Sequence, residues 1–438
     1  MGVNQTLFRG AHIVDPASRW DGPGELLVRN GKVAELKRRI AVGEDCEVIH
    51  AAGLILTPGL IDMHVHLREP GREDEETIES GCRSAVAGGF TGVACMPNTE
   101  PVNDSETVTR FILEKARAAA LAHVYPVGAI SRGSNGEKLA EIGEMAKAGA
   151  RAVSDDGQPV MNAQLMRRAM EYASMLDIPV IDHCEDRNLA GDGCMNEGEA
   201  SIRLGLKGIH CCAEDVQVAR DIILAEVTGA RVHIAHLSSA RSLELVSRAK
   251  EKSIPITCEV TPHHFSLADE DIPDYDPNFK MNPPLRNRQD VRSLLAGLAD
   301  RSVDAIASDH APHNPNEKML DFQSAPFGVL GLETTLPLAI TYLIRKKVIG
   351  WGRLVELLSS GPARILGLPG KGSLKLGCDA DITVIDPRPA WKIEGARFQS
   401  RSRNTPFEGW KVYGRCAGTM VAGRWVFRSF KGIERWRD

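Results

Sequence analysis

Residues 60–67 read LIDMHVHL, a short apolar run that closes in two histidines. It is the first of eight similar runs, each of which ends in polar residues and is followed by a stretch rich in helix-forming residues. Short apolar runs of this kind indicate buried strands. The eight runs are residues 60–67, 91–98, 123–130, 150–157, 178–186, 230–239, 254–264 and 303–313.

Helices are predicted between these runs, because the intervening stretches are rich in Ala, Leu, Glu, Arg and Lys and carry apolar residues at helical spacing. The clearest are residues 73–88, 104–121, 162–176 and 239–252. Strands that alternate with helices predict parallel βα units, and eight such units predict a closed (β/α)8 barrel. We therefore expect an α/β fold with a TIM-like barrel over residues 57–365.

The two ends of the chain differ from the barrel. Residues 1–56 contain short strands with turns, and Asn30-Gly31 between two apolar runs is typical of a hairpin. Residues 366–438 again contain short strands separated by glycine turns. Neither end has enough apolar residues for a core of its own, so we expect the two to pair into one small flanking β-sandwich domain.

The overall composition narrows the class of protein. Of the 438 residues, 43% are hydrophobic and 25% charged, and the net charge of −5 argues against a nucleic-acid binder. No run of 18 apolar residues could span a membrane. The ten cysteines are scattered without a CxxC pair, and the N-terminal residues lack an apolar signal segment. These features predict a cytoplasmic protein with reduced thiols.

Side chains capable of chemistry concentrate at the carboxyl ends of the predicted strands. In a (β/α)8 barrel that end is the active-site face. The residues concerned are His64, His66, Asn98, Asp155, Asp156, His183, His236, His263, His264, Asp309 and His313.

A metal centre is the first interpretation of this set. His64 and His66 are two residues apart in a strand, so both imidazoles point to one side and can ligate one ion. Imidazole together with carboxylate suits Zn²⁺. Four histidines and two aspartates are too many for one tetrahedral ion with an open position, but they are enough for two ions that share a bridging carboxylate. The other four candidates, which close four further strands, are Asp156, His183, His236 and Asp309.

Several motifs together resemble the dihydroorotases of the amidohydrolase superfamily, and among them the bacterial class I enzymes. They are HVHLREPG (64–71), MPNT (96–99), SDDG (154–157), HCED (183–186), MNPPLR (281–286) and SDHAPH (308–313). The closing GSLKLGCDADITVID (372–386) resembles the flanking β domain of that superfamily. The resemblance implies a reversible, zinc-dependent cyclisation of N-carbamoyl-L-aspartate to L-dihydroorotate in de novo pyrimidine biosynthesis.

The resemblance also implies which residues hold which zinc ion. His64 and His66 match the ligands of one ion, with Asp309 as its further ligand. His183 and His236 match the ligands of the second. Asp309 would in addition act as the catalytic proton shuttle for a metal-bound hydroxide nucleophile.

The sequence offers two residues for the bridge between the two ions. Many relatives use a carboxylated lysine, whereas class I dihydroorotases resemble this chain in having an aspartate at the end of strand four. The spacing between the first histidine pair and His183 favours Asp156 as the bridge, and Asp155 is the alternative.

A substrate with a free carboxylate needs a guanidinium and amide donors, because an arginine can bind a carboxylate through two parallel hydrogen bonds. Arg68 lies two residues past His66, on the same side if the strand continues. The resemblance also assigns the segment 326–328 to the pyrimidine edge. The residues that it assigns to the substrate are His66, Arg68, Asn98, Asn282, His313, Phe327 and Gly328.

Two other functions stay open. An allantoinase or dihydropyrimidinase would share the barrel, but the absent bridging lysine and the presence of Arg68 in HLREPG argue against both. An inactive scaffold for a carbamoyltransferase would typically lose metal ligands, and here every ligand position is filled. The family further implies a homodimer and an association with aspartate carbamoyltransferase. His263 and His264 receive no role from the resemblance and are expected to be structural.

Overall fold

The computed structural model describes residues 5–429 of the chain. Two eight-stranded sheets dominate this part of the protein, one a parallel barrel and the other a mostly antiparallel flanking sheet. The strands are β1 (Gln5–Asp15), β2 (Trp20–Arg29), β3 (Lys32–Lys37), β4 (Glu47–His50), β5 (Ile55–Pro58), β6 (Leu60–Val65), β7 (Phe90–Cys95), β8 (His123–Gly128), β9 (Ala152–Val153), β10 (Val180–Asp182), β11 (Met195–Asn196), β12 (Gly208–Ile209), β13 (Val232–Ile234), β14 (Ile256–Val260), β15 (Ala305–Ile306), β16 (Ile382–Lys392), β17 (Lys411–Val421) and β18 (Arg424–Arg428).

The barrel is formed by β6, β7, β8, β9, β10, β13, β14 and β15, which pair in chain order. All of these pairings are parallel. A parallel bridge between Val65 and His310 closes the ring, together with a 2.8 Å hydrogen bond from the His66 amide to the His310 carbonyl. Each of the eight predicted runs overlaps one barrel strand, so the predicted (β/α)8 barrel is confirmed.

Helices alternate with the barrel strands, as the sequence predicts. The helices are α1 (Ile78–Gly88), α2 (Glu106–Ala119), α3 (Ile142–Ala148), α4 (Ala163–Met175), α5 (Arg187–Ala190), α6 (Glu199–Leu204), α7 (Cys212–Thr228), α8 (Ala240–Glu251), α9 (Pro262–Ser266), α10 (Arg288–Asp300), α11 (Pro315–Lys318), α12 (Thr335–Ala339), α13 (Trp351–Val355) and α14 (Gly361–Ile365). Side-chain caps explain several of the starts. The side chains of Asn162 and Ser239, for example, each accept hydrogen bonds from two backbone amides, at the beginnings of α4 and α8 respectively.

The barrel strands are shorter than predicted at their carboxyl ends. The run 303–313, for instance, contains only the two-residue strand β15. His64 still lies within β6, but the other candidate metal ligands follow the ends of their strands. Arg68, His236 and Asp309 have positive φ angles of 59°, 32° and 48°. Non-glycine residues rarely adopt this left-handed conformation, and such strain concentrates at functional sites. Strand length therefore could not be read from hydrophobicity alone.

The flanking sheet joins both chain ends. Its strands lie in the order β18-β17-β16-β5-β1-β2-β3, with β4 paired to β1. Asn30 and Gly31 connect β2 to β3 with φ angles of 51° and 77°, which confirms the predicted hairpin. One buried cluster contains Phe8 from β1, Ile382 from β16 and Met420 from β17, so the two ends share a core as expected.

A separate buried cluster fills the barrel. Ile61, Val127 and Ile181 from three barrel strands meet there, together with Leu366 and Leu368 after α14. All ten cysteines are free, in agreement with the expected reduced thiols. No helix within residues 5–429 is both long and apolar enough to cross a membrane.

Candidate active site

The carboxyl ends of the barrel strands bring four histidines and two aspartates together. These side chains come from five different strand ends or the loops that follow them, which is why residues far apart in sequence become neighbours. All six are at least nine-tenths buried. They are His64, His66, Asp156, His183, His236 and Asp309.

One half of the cluster contains the first histidine pair. His64 Nε2 lies 3.2 Å from Oδ1 of Asp156 and 3.7 Å from Oδ1 of Asp309. His66 Nε2 lies 3.2 Å from Oδ1 of Asp309 and 3.6 Å from Oδ2 of Asp156. Two ligand atoms of one tetrahedral zinc, each about 2.0–2.1 Å from the ion, are about 3.3 Å apart. The short distances in this half agree with that spacing.

The other half contains the second histidine pair. His183 Nδ1 lies 2.9 Å from His236 Nε2. Oδ1 of Asp156 is 3.8 Å from that nitrogen of His183 and 3.6 Å from Nε2 of His236. The Asp156 carboxylate is thus within 4 Å of both histidine pairs.

Asp155 faces a different way. Its carboxylate accepts hydrogen bonds from the backbone amides of Ile130 and Ser131, at 2.8 and 3.1 Å, and from the Ser131 hydroxyl. It therefore holds the loop that follows β8. Of the two candidates for the bridging position, the structure places Asp156 among the histidines and Asp155 outside them.

The donor set fits a metal ion. His64 Nε2 and Asp156 Oδ1 are buried and have no hydrogen-bond partner within residues 5–429. Leaving such polar atoms unsatisfied costs free energy, so they call for a ligand that the protein itself does not supply. Two groups, His64–Asp156–His236 and His64–His66–Asp309, each bring ligand atoms within 4.8 Å of one another.

Electrostatics favour the charged forms of both aspartates. Burial would raise the pKa of Asp156 and of Asp309, but the surrounding histidines outweigh it and hold both pKa values well below the usual range. Burial alone would lower the pKa of His64, but the carboxylates of Asp156, Glu259 and Asp309 outweigh it and raise that pKa. The cluster therefore presents carboxylates at neutral pH, which are the form that binds a cation.

Glu259 supports this cluster and was missed by sequence reasoning. It is fully buried on β14, and its Oε1 lies 3.1 Å from Nδ1 of His64. Its Oε2 lies 3.2 Å from Nε2 of His233. Hydrogen bonds from these histidines lower the pKa of Glu259 to about 2, although burial opposes the shift. A glutamate inside the apolar strand ITCEV was the signal that could have identified it, since buried glutamates need partners.

This arrangement fixes the tautomer of His64. A carboxylate can only accept a hydrogen bond, so Nδ1 of His64 keeps its proton, and it is Nε2 that offers a lone pair towards the cluster once the ring is neutral. Asn98 does the same for the neighbouring ring, because its Oδ1 accepts from Nδ1 of His66 at 2.8 Å. The amide hydrogens of Asn98 stay free of that bond and can face another acceptor.

The expected substrate residues lie beside the cluster. Arg68 is largely buried, with its Nε 3.0 Å from Oε2 of Glu75 and 3.1 Å from the Pro312 carbonyl. His313 lies between Glu75 and the loop that carries Phe327, 2.9 Å from the Glu75 carboxylate and 2.7 Å from the Phe327 carbonyl. Glu75 therefore orients both the guanidinium and the imidazole, and sequence reasoning did not identify it.

The strand does not continue to Arg68, so strand alternation does not place its side chain. β6 ends at Val65, and the left-handed conformation of Arg68 breaks the alternation that would have placed it on the side of His66. The guanidinium reaches the site through a turn in the loop. Its Nη2 lies 3.4 Å from Nε2 of His313.

Asn282 and Gly328 complete the expected substrate residues. Nδ2 of Asn282 lies 3.4 Å from Nε2 of His183, and its buried Oδ1 has no hydrogen-bond partner within the described chain. Gly328 has a φ of 132°, and a Cβ there would lie 2.6 Å from the Ala311 Cβ and 2.9 Å from Nε2 of His313. Only glycine fits this position without displacing a neighbour.

His263 and His264 lie in the short helix α9, and not at the end of β14, the seventh strand of the barrel. His264 is satisfied by the Thr261 hydroxyl and the Pro283 carbonyl, at 2.8 and 2.9 Å, which agrees with a structural role. His263 is buried with no partner for Nε2 among the described residues, and burial lowers its pKa to about 4.

The fold and the site together define a class of enzyme. A (β/α)8 barrel with a flanking β-sandwich domain is shared by L-hydantoinase (dihydropyrimidinase) from Arthrobacter aurescens, with a TM-score of 0.87 and 23% identity over 99% of this chain and 98% of that one. Dihydropyrimidinase from Brevibacillus agri NCHU1002 has a TM-score of 0.85 and 22% identity, over 97% and 95% of the two chains. At 23% and 22% identity, these two likenesses show the fold alone. The class of enzyme follows from a sequence relative that is 51% identical over 97% of this chain: the protein is a cyclic amide hydrolase.

Sequence relatives narrow the class to one family. The family model described as Dihydro-orotase-like matches residues 53–242. A dihydroorotase of Geobacter sp. (strain M21) is 51% identical over 423 residues, which cover 97% of this chain and 99% of the relative. A dihydroorotase of Anaeromyxobacter sp. (strain K) is 51% identical over 432 residues, or 98% and 99% of the two chains. The chain belongs to the dihydroorotase family.

Proposed function

We propose that this chain catalyses the reversible, zinc-dependent cyclisation of N-carbamoyl-L-aspartate to L-dihydroorotate, in the cytoplasmic synthesis of pyrimidines. The observation that carries the proposal is the buried cluster of four histidines and two carboxylates, with Arg68 beside it. The cluster fits metal-assisted hydrolysis of an amide, and Arg68 fits a substrate that bears a free carboxylate.

Two zinc ions are proposed as the cofactor. His64, His66 and Asp309 would hold one ion, and His183 and His236 the other, with Asp156 as the bridge. When bound, zinc lowers the pKa of a water molecule towards neutrality and polarises the carbonyl that is attacked. The proximity of Asp156 to both histidine pairs supports its place as the bridge.

Asp309 is proposed as the proton shuttle. In hydrolysis its carboxylate takes the proton of the attacking water and passes it to the leaving ring nitrogen; in ring closure the same steps run backwards. Its Oδ1 lies 3.2 Å from Nε2 of His66, and its lowered pKa keeps it in the carboxylate form.

The substrate carboxylate is proposed to bind between Arg68, Asn98 and His313. Arg68 supplies the charge and two donors in one plane, while Asn98 has amide hydrogens left after its bond to His66. Asn282 and the backbone at Phe327 and Gly328 would contact the ring. We also propose that the enzyme is a homodimer that associates with aspartate carbamoyltransferase, and that its domains divide near the predicted positions 56/57 and 365/366. The first division lies just after Pro58, because β5 pairs with β16 of the flanking sheet up to that residue.

A pair of substrates tests the proposed reaction. Purified protein is incubated with L-dihydroorotate and, in parallel, with dihydrouracil, which has the same ring without the carboxylate. Because Arg68 lies beside the cluster, we expect hydrolysis of L-dihydroorotate only. A preference for dihydrouracil would indicate a dihydropyrimidinase, and turnover of neither would indicate an inactive scaffold.

Replacing Arg68 by lysine is expected to lower kcat/KM for L-dihydroorotate, by a factor that corresponds to a loss of about 1.5–3 kcal/mol of transition-state stabilisation. Lysine keeps the charge but loses the planar pair of donors and the contact to Glu75 that orients them. Steady-state kinetics measure the effect, with zinc content as the control for an intact metal site. An unchanged kcat/KM would show that Arg68 does not bind the carboxylate.

Replacing Asp156 by alanine is expected to lower the zinc content more than replacing Asp155. Asp156 lies within 4 Å of both histidine pairs, whereas Asp155 bonds the loop at Ile130 and Ser131. The two variants are matched, since each removes one buried carboxylate from the same loop. Metal analysis of both proteins decides the assignment, and a greater zinc loss in Asp155→Ala would reverse it.

A further inference from the structure

The loop that carries Phe327 and Gly328 rests on two buried lysines. Lys280 follows the short 3₁₀ turn Pro277–Phe279, and Lys318 is the last residue of α11. Their exposed fractions are only 3% and 7%. Lysine is almost never buried to this degree unless its charge is compensated, so each calls for an explanation.

Lys318 joins the two sides of this loop through carbonyl oxygens. Its Nζ donates to the carbonyls of Pro277 at 2.9 Å, Lys280 at 3.3 Å and Pro326 at 2.8 Å. An ammonium group has three hydrogens and no acceptor, so these three bonds use its full capacity. One of them holds the residue directly before Phe327.

Lys280 binds the same loop through two further carbonyl oxygens. Its Nζ donates to the carbonyls of Gln323 at 2.8 Å and Ala325 at 2.6 Å, and it lies 4.4 Å from the centre of the Phe327 ring. The Lys280 carbonyl also accepts the Gly328 amide at 2.9 Å. Both lysines therefore bind backbone immediately next to the segment 327–328.

Neither ammonium has an ion-pair partner within residues 5–429: no carboxylate oxygen lies within 4 Å of either one. Burial lowers the pKa of both side chains, and the charge of Lys280 helps to bring that of Lys318 to about 7. Backbone carbonyl oxygens, and for Lys280 also the Phe327 ring, are the groups that contact the two ammonium groups. Burying the two ammonium groups costs desolvation free energy, and the hydrogen bonds that offset this cost hold the loop backbone in one conformation.

The loop in turn positions the candidate substrate residues. The Phe327 carbonyl accepts from Nε2 of His313 at 2.7 Å, and His313 contacts Glu75, which also holds Arg68. A shift of the loop would therefore move His313 and disturb Arg68 as well as the backbone at 327–328.

We infer that Lys280 and Lys318 are positioning residues for substrate binding: they fix the backbone at Phe327–Gly328, and through it His313, without touching the substrate. The inference rests on the proposed function. It predicts an effect on KM, because the lysines hold the substrate contacts while the metal ligands lie on other loops.

Lys318→Met tests the inference, since methionine keeps an unbranched side chain but removes the charge and all three donors. We expect KM for L-dihydroorotate to rise about tenfold or more, with a smaller change in kcat and unchanged zinc content. Lys280→Met should change KM in the same direction. Lys147→Met, at an exposed lysine on α3, is the matched control and should leave KM unchanged.

Lys318→Gln keeps the experiment decisive if the methionine variant does not fold. Glutamine retains two amide hydrogens for the carbonyls, so a smaller rise in KM is expected. An unchanged KM in either Lys318 variant, or a loss confined to kcat and zinc, would overturn the inference. Failure of the wild-type protein to turn over L-dihydroorotate would instead refute the proposed function, so the two failures are distinguishable.

Discussion

Asp309→Asn is expected to abolish turnover in both directions. An amide can neither accept the proton of the attacking water nor return it during ring closure, and it is a poor ligand for zinc. Asp309 also lies 3.2 Å from Nε2 of His66, so its carboxylate is shared between the metal site and the proton path. Hydrolysis of L-dihydroorotate and cyclisation of carbamoyl aspartate are measured separately. An Asn variant that is active in one direction would make Asp309 a ligand only.

The pH dependence of the wild-type enzyme complements that variant. Ring closure consumes a proton, because a free carboxylate becomes a ring carbonyl while water leaves, so acid favours L-dihydroorotate and alkali favours hydrolysis. Hydrolysis needs Asp309 as the carboxylate and closure needs the protonated form, and the lowered pKa of Asp309 moves the change between the two forms towards acid pH. We therefore expect kcat for hydrolysis to rise with pH and kcat for closure to fall. Profiles that rise together would transfer the shuttle to another group, with His313 the next candidate.

His64→Ala and His66→Ala are expected to remove zinc and to lower turnover by several orders of magnitude. Nε2 of His64 is a buried atom with no partner among the described residues, which is what a ligand position requires. His12→Ala is a suitable control, since this histidine pairs with Asp21 on the exposed surface of the flanking sheet. Zinc analysis and turnover are measured on the same samples. More than about a tenth of the wild-type activity in either variant would refute the ligand assignment.

The barrel could be predicted because its signal is local and repeated. Each βα unit shows an apolar run, a polar end and a helical stretch, and the cap residues Asn162 and Ser239 lie where the predicted helices begin. His64 and His66 alone were a weak indication of a metal centre. The prediction depended on the four further candidates at other strand ends, because strand ends meet at one face of a barrel.

Other features depend on contacts between distant residues and could not be read from local pattern. Glu259 acquires its role only when β14 comes to lie near the end of β6, and Glu75 only when its loop meets His313. The left-handed conformation of Arg68 is imposed by tertiary contacts, since nothing in its residue type favours a positive φ. Asp155 and Asp156 are adjacent and chemically identical, so only the fold separates their environments.

Zinc titration of the metal-free protein, followed by hydrolysis of L-dihydroorotate, tests the proposed zinc-dependent dihydroorotase most directly. The protein is stripped with a chelator and its activity is recorded as Zn²⁺ is added back. We expect no turnover without metal, and a rise in turnover to a plateau at two zinc ions per chain. The His64→Ala variant should not reach this plateau. Full turnover by the metal-free protein, or none at two zinc ions per chain, would contradict it.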